Sequence, residues 1–484
     1  MNLHKFFSVI VIVGLLTAIT SCKKELARIN ANPNAVENPQ PAYLLTGAIK
    51  TACDDYWNVG AADGSLGNPT NLFVQYWAAI QYTDQDRYIF TNTNFQGFWT
   101  NLYSGSIVNL DKIIQLAKAA NNPNYQGIAL VLRSWDYCLL TDAFGDIPYS
   151  QSMQIQTNAT PAYDPQQQVY YGILNDLKSA QNLLDPNGAS VSGDVIYGGN
   201  IDLWKKFDNS LQLRIALRIA DRDPQKAKAV IDSLENAGGD FINNNQGNAE
   251  LVYQDPPNDN PLAELFLTRD DYRISQTIVD TLSRLNDPRL PVYAAPTQSP
   301  TPQTYVGIPN GLLVGSASGL GFTTTSRPGD YFLARHAPAV IMSYAEVLFD
   351  RAEAAARGFT NEDPADLYNK AITASMQQYN INPNVISAYL AQPDVQYDPG
   401  NFRKSIGVQK WIALFGQGSE AFAEWRRLGY PQLKPAVAGV LNGAMPLRFI
   451  YPGTEQSLDK KGYQQAIANQ GPDLLTTRVW FDVN

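Results

Sequence analysis

The sequence predicts a mainly α-helical fold: tetratricopeptide-like helix pairs as scaffold, with long irregular loops between them. Apolar residues recur at helical spacing over most of the chain, the inferred helices fall in successive pairs, and two stretches lack both helical period and sustained alternation.

The first element is not part of that scaffold. Lys5 precedes a nearly unbroken apolar run from Phe6 to Ile19, which ends at the small residues Thr20 and Ser21. Such a run is shorter than the roughly 20 residues of a spanning helix and has the layout of an export signal. Ile19-Thr20-Ser21-Cys22 resembles a bacterial lipobox, which makes Cys22 the lipidated first residue of the mature chain. Ordinary cleavage near Ser21 would instead leave an exposed thiol with no evident use. The expected organisation is a lipoprotein signal at 1–21 and one domain over 22–484, anchored to a membrane by lipid. No Gly/Ser tract, charge block or second long apolar run divides the remainder.

The helices come next. Leu110, Ile113, Ile114 and Ala117 share one helical face, as do Val169, Ile173, Leu177, Ala180 and Leu184, and then Leu203, Phe207, Leu211, Ile215 and Ile219. The predicted pairs are 109–120 with 124–141, 166–184 with 202–221, 339–357 with 364–379, and 401–415 with 417–428. Asp202 is the expected N-cap of the helix over 202–221, and Asp363-Pro364 opens the helix over 364–379. Glu353 and Arg357 have the favourable i,i+4 order. Trp425, Arg426 and Arg427 read as a buried anchor with local charge pairs.

Two regions interrupt the helices. Residues 54–104 crowd aromatic side chains among Asn, Gln, Asp and Gly, and residues 286–335 form a long stretch rich in Pro, Gly and Tyr. A loop of that length inside a folded domain is usually functional or disordered.

Composition excludes several chemistries. Charged residues are 17%, below the roughly 25% of ordinary globular chains, and aromatics are 11%. A net charge of −9, with no basic run beyond Lys23 and Lys24, argues against nucleic acid. His4 lies in the signal, leaving His336 as the one histidine of the mature chain, so Ser-His-Asp, Cys-His and His-rich zinc sites are disfavoured. Cys53 and Cys138 are compatible with a disulfide or with two buried thiols. DPNGASVSGD (185–194) lacks the oxygen spacing of an EF-hand and reads as a turn. No cofactor or metal is expected.

What remains is recognition. Sugar C–H faces stack on phenol and indole rings while hydroxyls need planar polar partners. The candidates from the first region are Trp57, Trp77, Tyr82, Asp86, Arg87, Tyr88 and Trp99, with Trp77 equally at home in a core. Arg269, Asp271 and Tyr272 of TRDDYR, with Tyr305, Arg327 and Tyr331, complete the set. A hydrolase reading would use two carboxylates about 5–9 Å apart, from Glu346 with Asp350, Asp84 with Asp86, or Asp270 with Asp271. Adjacency in sequence is weak support, because acid and nucleophile normally face each other across a cleft from different elements. A surface protein with no small ligand is a third reading.

Six stretches in series carry a family resemblance: AFGDIPYS (143–150), DLWKKFDNSLQLRIALRIAD (202–221), NDPRLPVY (286–293), VIMSYAEVLFDRAEAAARG (340–358), EAFAEWRRLGYP (420–431) and PLRFIYPGTEQ (446–456). Together they resemble the SusD/RagB family of Bacteroidetes nutrient-binding lipoproteins, SusD-like branch. The resemblance implies an α/α superhelix with tetratricopeptide-like pairs and loops as ligand surface. It also implies a lipid-anchored protein on the outside of the outer membrane, acting as lid over a SusC-like TonB-dependent transporter. By the same resemblance the ligand is an oligo- or polysaccharide, with peptide the alternative, bound without cleavage.

Overall fold

Polar caps mark where the helices begin. A computed structural model describes residues 39–57, 68–154 and 157–484 of the chain; the signal 1–21 and Cys22 lie outside the described residues. The longer helices are α1 (Pro41–Tyr56), α2 (Val108–Ala120), α3 (Pro123–Phe144), α4 (Gln166–Leu183), α5 (Ile201–Ile219), α6 (Pro224–Asn236), α7 (Pro261–Thr268), α8 (Gln276–Arg284), α9 (Tyr344–Ala356), α10 (Pro364–Gln377), α11 (Pro383–Leu390), α12 (Phe402–Ala413), α13 (Gly418–Leu428) and α14 (Lys460–Gln470). Asn122, Asp223 and Asp363 each accept a backbone N–H just ahead of a proline at the first helical position, where the missing donor costs nothing. The expected cap of α5 is corrected: Asn200, not Asp202, accepts from Leu203 N, and Asp202 sits inside the first turn.

Helices α2 to α6 pack each against the next, α9 packs on α10, α12 and α5, and α12 packs on α13. The predicted start of a helix at 339 is also corrected. Ala339–Met342 is a fully buried strand, the last of six short ones among the described residues. These are β1 (Trp77–Ala79), β2 (Ile147–Pro148), β3 (Tyr163–Asp164), β4 (Ala249–Leu251), β5 (Tyr272–Ile274) and β6 (Ala339–Met342), with β6 antiparallel to β4. A wholly apolar tetrad with β-branched Val340 and Ile341 at its centre suits a strand packed on both faces. The helix starts after Ser343, whose hydroxyl accepts Glu346 N. Ser-x-x-Glu is capping-box spacing, yet the Glu346 carboxylate turns into the core to meet Arg214 at 2.6 Å.

That pair opens a network of buried charge. Arg214 and Arg218 on α5, Glu346, Asp350 and Glu353 on α9, Lys410 on α12, and Glu420, Glu424 and Arg427 on α13 are all buried. Arg218 binds Glu420 at 2.6 Å and Glu424 at 2.9 Å; Lys410 binds Asp350 at 2.5 Å and Glu424 at 2.7 Å; Arg427 reaches Glu353 and Glu424, each at 2.6 Å. At the helix end Arg357 binds Glu353, the expected i,i+4 pair, and also Asp221. Burying an ion costs several kcal/mol unless paired and hydrogen-bonded, so this arrangement fixes the mutual register of four helices. Burial pushes Glu424 up, but Arg427, Lys410 and Arg218 together hold it well below the ordinary carboxylate range. Burial wins at Glu346, raised to about 8 despite Arg214.

The other resemblance-bearing stretches are scaffold as well. Arg289 is buried against Asp287, Ser375 and Gln409. Asp146 accepts from Gln166 N and Asn469, and Arg426 donates to the carbonyls of Asp142 and Leu447. Cys53 and Cys138 are buried free thiols. In the stretch 185–194, Asp194 accepts from the backbones of Ile196, Tyr197 and Gly199 and from the Trp204 indole, which makes it a turn anchor.

Candidate ligand-binding site

Two short strands position the candidate site. β1 (Trp77–Ala79) pairs antiparallel with β5 (Tyr272–Ile274), with Ala79 opposite Tyr272. Just beyond the pair, Ile80 N donates to Asp271 O at 2.8 Å, which brings the turn after β1 against the segment before β5. Tyr82 projects there, 65% exposed. Its φ of +50° lies in the left-handed region, which costs a non-glycine residue about 1–2 kcal/mol. Such conformations persist where surrounding contacts over-determine them, and they cluster at ligand sites.

The Arg269 guanidinium stands over the Tyr82 ring at 4.9 Å and is held by Asp271 at 2.5 Å. The tyrosine thereby presents one ring face to a fixed cation. Beside it opens a cleft of about 520 Å³, where Thr83, Asp84, Gln85 and Asn94 supply polar groups and Ile89 and Val314 apolar ones. Planar amides and carboxylates beside an exposed ring form a combination that takes polyhydroxylated ligands.

Asp86, Arg87 and Tyr88 hold the cleft together from behind. Asp86 is fully buried and accepts from Ala79 N (3.1 Å), Gly311 N (2.7 Å) and the Asn310 amide (2.7 Å), joining the turn after β1 to the segment that carries Asn310 and Gly311. Burial pushes its carboxyl up to about 6, against the pull of those donors. Gly311 has φ +72°, and a Cβ there would meet Ala436 Cβ at 2.3 Å. Arg87 donates to Ala438 O, and the buried Tyr88 hydroxyl accepts from Ala436 N and donates to Met445 Sδ. Val314 is an exposed apolar residue of the cleft wall, and Leu313 beside it, Leu267 ahead of Arg269, and Val437 and Val440 on the segment bound by Arg87 are exposed as well.

The structure distributes the sequence candidates widely. Tyr82, Asp271 and Tyr272 line one cleft, with Arg269 over the ring. Asp86 and Tyr88 are buried clamps, and Arg87 is partly covered by the loop 436–440 that it binds. Trp57 is buried and stacked on Phe332; Trp77, 1% exposed, meets Phe266 and Tyr272 edge-on. These two indoles offer no free face, because their large apolar area packs inside the domain. Trp99 belongs to an aromatic cluster with Tyr103, Phe144, Tyr163 and Tyr451, at the edge of a separate cleft of about 270 Å³. Tyr305 packs half-buried on the core, and Arg327 lies over Phe266 and binds Asp270. Tyr331, 37% exposed, lines a third cleft whose Asn and Gln residues sequence reasoning missed; the signal was the amide run Asn243-Asn244-Asn245-Gln246-Gly247-Asn248.

The carboxylate pairs of the hydrolase reading do not face one another across a cleft. Glu346 and Asp350 are enclosed with Arg214 and Lys410. Asp84 is exposed while Asp86 is buried. Asp270 is bound by Arg273 and Arg327, and Asp271 by Arg269.

Residues 33–452 match the family described as SusD-like, starch-binding associating with outer membrane. Among solved structures the chain is similar to a chitin-binding protein, with 27% identity over 92% of this chain and all of that one, at a TM-score of 0.82. It is also similar to a SusD homologue from Bacteroides uniformis (28% identity, 91% and 100% covered, TM-score 0.80). A chitin-binding SusD homologue from Flavobacterium johnsoniae is comparable (26% identity, 91% and 99% covered, TM-score 0.81). No curated protein matches.

Proposed function

Since the chain belongs to the SusD-like family of nutrient-binding outer-membrane proteins, we propose that it captures a glycan in the cleft beside Tyr82 and passes it on intact. The observation that carries this reading is the Tyr82 ring, exposed in a strained backbone and backed by Arg269 at the mouth of a polar cleft. Two of the similar structures are named as chitin-binding, which supports a neutral polysaccharide as ligand class. The ligand's ring faces would pack on Tyr82, and its hydroxyls would exchange hydrogen bonds with Asp84, Gln85 and Asn94. Of the two carboxylates that line the cleft, Asp271 is held by Arg269 and Asp84 lies beside Arg87; in this reading both serve to bind the ligand, which leaves uncleaved.

The same reading gives the chain a partner and a place. It is anchored through lipid on Cys22, with 22–484 as the mature protein on the cell surface, and it delivers its ligand to a SusC-like TonB-dependent transporter. No helix among the described residues is long and apolar enough to cross a membrane; in this reading the lipid-tethered protein captures and a second protein carries the ligand across. The exposed apolar residues Leu267, Leu313, Val314, Val437 and Val440 would offer it docking contacts.

The test is calorimetric titration of the purified full-length protein with a panel of polysaccharides, oligosaccharides and peptides, each mixture then examined for products. Saturable glycan binding with the ligand recovered intact is the expected result. Peptide binding would replace the ligand class, and cleaved glycan would overturn the reading.

A further inference from the structure

A second cleft, with no lining residue in common with the first, holds an acid without a counter-charge. Its volume is about 480 Å³, and it lies between the segment 244–250, the tyrosines Tyr331 and Tyr344, and the C-terminal end of α10. The lining is almost wholly neutral and amide-rich, with Asn244, Asn248, Gln377 and Gln378 among it. Some of those amides already have structural work: Asn248 accepts Tyr344 N at 2.8 Å, and the Asn245 amide donates to Ala374 O at 3.0 Å. The side-chain oxygen of Asn245, Oδ1, is buried with no hydrogen-bond partner, so that amide belongs to the wall rather than to the open lining.

Glu250 is the exception to the neutral lining. It lies on β4 at the irregular register between Ala249 and Glu250, half-buried, and among the described residues no arginine, lysine or histidine pairs with it. Burial alone pushes its carboxyl up to about 7. A desolvated carboxylate among neutral donors and acceptors is poorly compensated. It gains most from a ligand that brings a cation with hydrogen-bonding capacity of its own. The other walls supply what a sugar needs, amide groups for vicinal hydroxyls and the half-exposed Tyr331 ring for a C–H face.

We propose that this cleft is a second saccharide site, selective for a sugar unit carrying a protonated amine, with Glu250 binding the ammonium and Tyr331 packing against the ring.

The experiment titrates the purified full-length protein with a glucosamine tetramer and with its N-acetylated counterpart. The glucosamine tetramer is expected to bind saturably, and Glu250→Gln to weaken it at least about tenfold, the scale of a hydrogen bond to a charged group. The N-acetylated tetramer lacks the cation, so its affinity should not distinguish Glu250→Gln from the parent. Tyr331→Ala provides a second arm, and thermal melts establish that both variants are folded; if Tyr331→Ala does not fold, Glu250→Gln, nearly isosteric, decides alone. Absence of saturable glucosamine-tetramer binding overturns the proposal, as does equal affinity in Glu250→Gln. Loss of that ligand in Tyr82→Ala with none in Glu250→Gln assigns the binding to the first cleft and also overturns it. Amine binding that depends on Glu250, in a protein that takes no neutral glycan through Tyr82, would uphold this site while removing the function proposed above.

Discussion

Between α5, α9, α12 and α13, acids and bases meet fully buried; around Tyr82 the same residue types stand half in solvent and leave an aromatic face open. In the core, Lys410 touches both Asp350 and Glu424, and Arg427 touches both Glu353 and Glu424, so each charge is committed to partners inside the protein. Around the cleft, Arg269 is committed on one side only, to Asp271, and spends its flat face on a ring. The contrast teaches that a charged side chain indicates function here only where its partnering is incomplete. Glu250, with a cleft before it and no cationic side chain paired to it among the described residues, meets that criterion in the second place.

The sharpest way to break the comparison is to remove one core partner. Arg427→Ala leaves Glu353 and Glu424 buried without their shared cation, and a loss of about 3–5 kcal/mol is expected. Denaturant unfolding measures it. Below its transition the variant should still bind ligand normally. A change under about 1 kcal/mol would mean that the network does not hold the scaffold.

Acidification tests the same network without mutation. Burial raises Glu353, Glu420 and Glu424, but Arg427, Arg214, Arg218 and Lys410 outweigh it and hold all three below the usual range. A depressed carboxyl contributes stability that is complete above its unfolded value, about 4.3, and is lost as pH falls through the folded values. Glu346, raised to about 8, works the other way: its contribution is complete below about 4.3 and lost as pH rises toward 8. Melting temperature against pH should therefore fall on both sides of an interior maximum. A curve that rises steadily from pH 3 to pH 5 and stays flat to pH 9 would contradict the assignment of Glu346.

Asp86 joins the two regions, being buried like the core and placed behind the cleft. Asp86→Asn keeps the shape but turns an amide N–H₂ toward one of the donors Ala79 N, Gly311 N or Asn310, leaving a buried donor unmet at about 1–3 kcal/mol. The expected outcome is faster hydrogen exchange confined to the turn after β1 and to 306–315, with weaker glycan binding. Uniformly faster exchange across the helices would place Asp86 in the scaffold instead.

Legibility followed the same division. The helices of the predicted pairs were readable because their apolar spacing is local, while Pro41–Tyr56, Pro224–Asn236, Gln276–Arg284 and Lys460–Gln470 were not placed. The pair Glu353 and Arg357 was also readable, but which bases on other helices would meet Glu346, Asp350 and Glu353 was not. Asn200 for Asp202 and the strand at 339–342 were misread at helix ends, where a cap two residues away or a strand partner such as β4 decides the outcome. In the site, Tyr82, Arg269, Asp271 and Tyr272 were all selected by residue chemistry and do come together. Trp57 and Trp77 were selected by the same chemistry and are packed in the interior. An indole suits a sugar and a core equally well; only the contacts with Phe332, Phe266 and Tyr272 settle which, and those lie far along the chain.

The smallest effect on stability should be the largest on binding. Tyr82→Ala removes an exposed ring, so unfolding should shift by no more than about 0.5 kcal/mol, while glycan affinity falls roughly tenfold with the stacking surface. Tyr82→Gly separates the two consequences. At φ +50° glycine escapes the left-handed penalty that alanine keeps, so the glycine variant should be more stable than the alanine variant by up to about 1 kcal/mol, yet bind as poorly. If both lose binding and glycine gains stability, the backbone at Tyr82 is strained in order to hold the ring over the cleft beside Arg269. If glycine binds as the parent does, the ring is not a ligand contact, and the turn itself, through the amides and carboxylates that follow it, would have to be the binding element.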